Sequence, residues 1–163
     1  MGDKMSEAIH TMIDQILVFT LDEQPYALSL HSVVKVIHAI EIRYLPKAPE
    51  IIAGIINVKG QIIPVADIRK CFRLAAHEID IDDRLIIADT GKRQVAILVD
   101  SVTGIRDLVA GHQKQVKETL PFAEHLRGVA KIDDELILIY DLDRFLNLDE
   151  EKKLDQALKA KIK

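Results

Sequence analysis

The sequence predicts an all-β fold: two small five-stranded β-barrels packed side by side, with short helices and a C-terminal helix. Three observations predict it. The apolar residues are mainly Ile, Val and Leu in short runs broken by Gly, Pro and Asp, with only 4% aromatics and no Trp, and β-branched residues in short segments favour strands. The chain writes one pattern twice. The clearest 3–4 apolar spacing, at Leu154, Ala157, Leu158 and Ile162, is confined to the C-terminal end and suits an amphipathic helix over 148–163.

Residues 1–15 read as a tail or short helix, with Ile9, Met12, Ile13 and Ile16 at helical spacing. The first barrel unit spans 16–76. Ile16–Leu21 and Tyr26–Leu30 make a hairpin about a turn at Asp22–Pro25. Ser32 is placed to cap one helical turn, Val33–Ile37. Ile40–Leu45 reads as a strand stopped by Pro46 and Pro49, which cannot donate to a ladder. Gly54–Ile68 is the strongest hairpin: arms Ile55–Val58 and Ile62–Val65 flank Lys59-Gly60-Gln61, and Asp67 caps the short segment Ile68–Phe72. Arg73–Asp83 is an acidic connection carrying Glu78, Asp80, Asp82 and Asp83.

The second unit spans 84–147. Leu85–Ala88 and Gln94–Val99 flank a turn at Thr90–Lys92, and Ile105–Leu108 and Gln113–Lys117 are weaker strands. Pro121–Leu126 is an irregular or helical connection. Gly128–Ile132 and Leu136–Tyr140 close a hairpin about Asp133-Asp134.

The duplication supports this division. At a shift of 74, Gly54, Ile63, Val65 and Asp67 meet Gly128, Ile137, Ile139 and Asp141. At a shift of 69, Leu17, Leu28, Ser32-Val33 and Val36 meet Ile86, Ile97, Ser101-Val102 and Ile105. Each unit is a small, strongly twisted sheet that resolves its edges by closing into a barrel, and two barrels can share one apolar interface that neither buries alone. Strand exchange between the units stays open.

Composition excludes several classes. The formal charge is −4 with no basic block, which argues against nucleic acid. One cysteine, Cys71, permits no internal disulfide and fits a reducing compartment. The longest apolar run, Ile51–Ile56, is too short to span a bilayer. A cytoplasmic protein is expected.

Catalytic chemistry finds no support. The six histidines (His10, His31, His38, His77, His112 and His125) have no zinc-like spacing. Asp80-Ile-Asp82-Asp83 lacks the glycine and closing glutamate of a calcium loop. The glycines form no phosphate cradle. Asp67 and Asp141 read as equivalent turn residues and Cys71 as a small buried hydrophobe. No enzyme and no cofactor are expected. What remains is surface for partners, with Lys35, Arg43, Tyr44 and Lys59 on loop tips or short strands.

These residues resemble a known family. Phe19-Thr-Leu21, Tyr26-Ala-Leu28, Val33-Val-Lys-Val-Ile37, Leu45-Pro-Lys-Ala-Pro49 and the whole of Gly54–Ile68 are similar to the CheW family of chemotaxis adaptors. So are Ile97-Leu-Val-Asp-Ser-Val102, Leu126-Arg-Gly-Val-Ala130 and Leu136–Leu142, so the resemblance covers 16–147. Its most specific part is Gly-x-x-Asn-x-(Arg/Lys)-Gly-x-x-x-Pro-x-x-Asp, beginning at Gly54.

The resemblance implies SH3-like barrels and a non-catalytic adaptor. Its partners would be the regulatory domain of a CheA-type histidine kinase and the cytoplasmic tip of methyl-accepting chemotaxis receptors, in a membrane-associated array. It places a kinase-binding surface at Val33, Lys35 and Gly54, and a receptor-binding surface at Lys59, Leu85 and Ile105. Asn57, Lys59, Gly60 and Pro64 are not shared by the second copy of the hairpin, so recognition by the first copy is expected there, and Asn57 and Gly60 join the receptor-binding set. Two positions depart from the family pattern. Lys35 stands where Glu is common, reversing a charge that a standard kinase face would meet. Lys59 stands where Arg is common, keeping charge but losing the planar fork. The alternatives are a CheW-like module of a parallel pathway (pilus motility or CheV-type) or, from another class, a small barrel enzyme or ligand binder.

Overall fold

The computed structural model describes residues 13–109, 113–114 and 122–162. Among these residues eleven strands and one α-helix follow in order: β1 Ile13–Leu21, β2 Gln24–Ser29, β3 Val33–His38, β4 Ile52–Val58, β5 Gln61–Ala66, β6 Arg84–Asp89, β7 Gln94–Val99, β8 Ser101–Val109, β9 Gln113–Lys114, β10 Leu126–Ile132, β11 Glu135–Tyr140 and α1 Leu148–Ile162. They form a six-stranded sheet, order β8-β1-β2-β11-β10-β9, and a five-stranded sheet, order β3-β6-β7-β5-β4. The all-β class and the C-terminal helix match the sequence expectation. Closed barrels do not: among the described residues both ladders are open, with β8 and β9 ending one and β3 and β4 the other. One-turn 3-10 helices at Leu30–Ser32, Ile68–Lys70 and Leu142–Arg144 follow β2, β5 and β11, and one at Ala123–His125 leads into β10.

Each sheet draws on both halves of the sequence. β1 and β2 sit with β8–β11, while β3–β5 sit with β6 and β7. The duplication holds down to register. In one sheet Val33 pairs Ala88 and Lys35 pairs Ile87, with Val34 bulged out. In the other Val102 pairs Phe19 and Gly104 pairs Val18, with Thr103 bulged out, and each of these positions is its counterpart shifted by 69. Two parallel contacts repeat as well, Val65 with Ala96 and Ile139 with Ala27, Val65 meeting Ile139 at the shift of 74 and Ala27 meeting Ala96 at the shift of 69. The molecule therefore has internal pseudo-two-fold symmetry with strands exchanged.

The hydrophobic interior follows the same symmetry. One cluster, Ile16, Val18, Ala27, Leu108, Ala130, Ile137 and Ile139, lines one face of the six-stranded sheet. Its counterpart, Ile56, Ile63, Val65, Leu85, Ile87, Ala96 and Leu98, lines the five-stranded sheet. Between the sheets lies the shared core, built on Phe19, Tyr26, Phe72 and Tyr140 with aliphatic neighbours from both halves. Successive side chains of a strand point to opposite faces, so β1 sends Leu17, Phe19 and Leu21 to the shared core and Ile16 and Val18 to its own sheet's cluster.

Three local expectations change. Val33–Ile37 is strand, not a helical turn: Val33, Val34, Val36 and Ile37 are β-branched and β6 offers a partner. Ile40–Leu45 makes a single bridge, Arg43 to Ile55, rather than a strand. The first turn is only Asp22-Glu23, both at positive φ, and Pro25 lies inside β2. Proline is tolerated there because the described pairing of β2 with β11 begins only at Tyr26. The tail reading for 1–15 and the strand reading beyond Lys114 fall on positions outside the described residues, except that Ile13–Gln15 belong to β1.

Helix α1 begins with a reciprocal cap. Asn147 Oδ1 accepts from the Glu150 N–H at 2.9 Å, and Glu150 Oε1 accepts from the Asn147 N–H at 3.1 Å. The helix then buries Leu154 and Ala157 in the shared core.

Candidate functional site

The predicted surface residues are set by two edge strands and one hairpin tip. β3 is an outer strand paired only with β6 among the described residues, so one row of its backbone groups is left for a partner. Val34, Lys35 and Val36 are exposed on it and Val33 is half-buried. After β3 the chain returns along β4: the Arg43 N–H donates to Ile55 O at 2.9 Å and the Ile55 N–H to Arg43 O at 2.8 Å.

Gly54 allows that approach. A Cβ at this position would lie 2.2 Å from the Arg43 carbonyl oxygen, so any side chain would push the strand-like segment off β4. Gly54 is itself buried and reaches the surface only through the segment it holds. That segment and the β4–β5 hairpin enclose a groove of about 600 Å³, lined by Ile40, Arg43, Ile55 and Ile62 among others.

The hairpin tip is a two-residue turn. Lys59 at φ 52° and Gly60 at φ 88° both occupy the left-handed region that such a turn requires. Asn57 Oδ1 accepts from the Gly60 N–H at 2.8 Å and fixes the tip. Asn57, Lys59 and Gly60 are therefore together and exposed. The other two receptor-binding residues are elsewhere. Leu85 is fully buried in β6, where it supports the sheet and offers no atoms to a partner. Ile105 is exposed on β8, the edge of the other sheet, at the position equivalent to Val36.

Exposed Val34, Val36, Ile40 and Ile62 belong to this surface and were not singled out in the sequence. The exposure of Val34 and Val36 comes from the bulge at Val34 on an edge strand, which turns apolar residues outward.

Buried chemistry is limited. Arg69, almost fully buried, pairs through Nη1 with Asp22 at 2.8 Å and through Nη2 with Asp100. His77 Nε2 lies 3.2 Å from Asp83. His77, Asp83 and Asp100 bring three potential ligand atoms within 4.8 Å of one another. Their oxygens already have donors, however: the Asp80 N–H reaches Asp83, and Arg69 with the Asp22 N–H reaches Asp100. A guanidinium beside the cluster opposes a second cation, so this is an ion-pair network rather than a metal cradle. Cys71 is half-buried, its Sγ 3.9 Å from Tyr140 Oη. Burial pushes the thiol up, with the Tyr140 hydrogen bond opposing, and burial pushes the Tyr140 phenol up as well. The pair stays neutral and the thiolate nucleophile is disfavoured.

Comparison with known proteins gives this geometry a context. Residues 15–150 match the model of the CheW-like domain. The chain is 25% identical over 155 residues to "Chemotaxis protein CheW" of Klebsiella aerogenes, covering 92% of each chain. It is 29% identical over 132 residues to the protein of the same description in Thermotoga maritima, covering 81% of this chain and 87% of that one. A 28% match over 107 residues joins it to "Protein FrzA" of Myxococcus xanthus, covering 61% and 63%. Among solved structures, the scaffolding protein TtCheW from Thermoanaerobacter tengcongensis superposes with a TM-score of 0.78 at 30% identity, over 85% of this chain and 96% of that one. With the family pattern matched across both halves and the fold shared at this level, the chain belongs to the CheW-like domain family.

Proposed function

We propose that the chain is a non-catalytic adaptor that couples methyl-accepting chemoreceptors to a CheA-type histidine kinase. The observation that carries the reading is the pair of equivalent edges. β3 presents Val34, Lys35 and Val36, and β8 presents Thr103 and Ile105 at the positions shifted by 69. A scaffold must hold two partners at once, and edge strands with apolar side chains bind by strand addition and pocket filling. Pseudo-symmetry supplies two such faces on one chain. The core between the sheets is filled with apolar side chains, which disfavours a ligand site within that core. No helix among the described residues is long and apolar enough to cross a membrane, in keeping with a cytoplasmic protein recruited to receptor arrays.

Kinase contact is assigned to β3, with Val33 and Lys35 meeting the partner and Gly54 acting through the Arg43 segment. Receptor contact is assigned to Asn57, Lys59 and Gly60 at the hairpin tip and to Ile105 on β8, while Leu85, buried in the cluster of the five-stranded sheet, holds only that sheet from beneath. The mechanism is geometric: holding receptor and kinase in a fixed relation lets the receptor state shift the kinase equilibrium. A second reading, a module of a parallel pathway, is favoured by Lys35, which reverses the usual charge on the kinase face, and by the similarity to FrzA.

Titration against the cognate kinase regulatory domain and receptor cytoplasmic fragments tests the proposal. Micromolar binding to both is expected. Lys35→Glu should change the preference between the cognate kinase and a kinase of a standard chemotaxis array by about tenfold, the scale of one charge contact at an interface. Binding to neither partner would overturn the adaptor reading, and an unchanged preference would remove Lys35 from the interface.

A further inference from the structure

We propose that a second copy of this chain inserts the tip of its Arg73–Asp83 connection into a groove between α1 and the Pro46-Lys47 turn. The groove has a volume of about 400 Å³. Its apolar wall is Pro46, Ala157 and Ala160, and three cations, Lys47, Lys153 and Lys161, surround it with no acidic side chain among its lining residues. The helix sorts its charges to produce this. Glu151 and Asp155 reach Arg93 at 2.8 and 2.5 Å, which occupies two of its acids away from the groove. Small residues at 157 and 160, one turn apart, open the space between the lysines.

The tip of the connection is the complement of the groove. Ile81 is 84% exposed, more than any other large apolar residue described, and Ile79 is 49% exposed. Glu78, Asp80 and Asp82 flank them, all exposed. The base of the tip is built, not loose. The buried Asp83 carboxylate accepts from the Asp80 N–H at 2.8 Å and lies 3.2 Å from His77 Nε2. The Asp83 N–H donates to Asp80 O at 3.0 Å, and the Ala39 N–H ties Asp83 O to the end of β3 at 3.1 Å. A tip already ordered loses little freedom on docking.

An isoleucine knob with three carboxylates therefore faces, across molecules, an apolar groove with three ammonium groups. Ile81 stands in solvent rather than in its own chain's groove, so the match is completed between copies. Two different surfaces meet, which makes the contact heterologous and able to propagate head to tail. The area is small and the affinity weak, about 0.1–1 mM, a strength that matters where many copies are held close together. The inference is independent of which kinase or receptor the chain serves.

Sedimentation velocity of the full chain, from about 10 µM to about 1 mM in low salt, tests it. The expected result is a sedimentation coefficient that rises with concentration and falls back on adding salt, which screens the six charges. Three double variants should each abolish the rise: Ile79→Ser with Ile81→Ser, Asp80→Lys with Asp82→Lys, and Lys153→Glu with Lys161→Glu. An equimolar mixture of the two charge-reversed proteins should associate again, because each then carries the complement of the other. That recovery also shows that both variants are folded. A monomer throughout the range, whatever else the groove binds, overturns the proposal, as does self-association that survives both charge reversals.

Discussion

Arg69 joins three segments that are far apart in sequence. Its guanidinium meets Asp22 in the β1–β2 turn and Asp100 at the β7–β8 corner, while its own backbone forms the 3-10 turn after β5. Replacing it with Met should cost about 1–3 kcal/mol, the range for orphaning hydrogen-bonded charges that are partly shielded. Asp22→Ala should cost less than about 1 kcal/mol, since the Asp22 side chain is half in solvent. Urea unfolding of both variants measures the difference, and equal losses would show that the node does not work through the buried partner. Nothing in the sequence marked this arginine, because its partners lie 47 and 31 residues away and no local spacing joins them. Leu85 illustrates the converse. A resemblance can mark a position as functional, but it does not say whether the side chain points out or in, and here Leu85 points in.

At the scale of elements, the hairpins were legible because turn chemistry is local. Lys59-Gly60 and Asp133-Asp134 sit where alternating apolar arms break, and both central residues of each turn take positive φ. The caps were legible for the same reason. Asp67 accepts from the Arg69 N–H at 3.2 Å and Asp141 from the Asp143 N–H at 3.2 Å, with near-identical backbone angles. Asp67→Ala and Asp141→Ala should therefore each lower stability by about 0.5–2 kcal/mol. The two losses should agree closely, and thermal or urea unfolding of the pair checks this. A loss at one position alone would mean that the two turns are not equivalent. β3 was not legible: a serine before a short apolar run fits a capped turn as well as a strand, and only the pairing with β6 decides. The surface residues Val34 and Val36 were lost with it.

At the scale of the molecule, the duplication told which residues are equivalent but not which strands pair. An exchanged and an unexchanged arrangement put the same side chains on the same faces, so the repeat is silent between them. The structure exchanges: the six-stranded sheet takes two strands from the first half and the rest from the second, and the five-stranded sheet takes three and two. Neither half then holds a complete sheet. Fragments 1–83 and 84–163, made separately, should show no cooperative unfolding transition, and mixing them should restore one together with native strand content by circular dichroism. A fragment that folds alone would contradict the exchange.

The same symmetry gives the molecule two equivalent edges, and its proposed role depends on using both faces at once. The most direct test is kinase autophosphorylation with cognate receptor fragments, with and without this chain. Receptor ligand should control the kinase only when the chain is present, and Gly54→Ala, which lets the Arg43 segment separate from β4, should weaken that control. Receptor control that is equally strong without the chain would contradict the account.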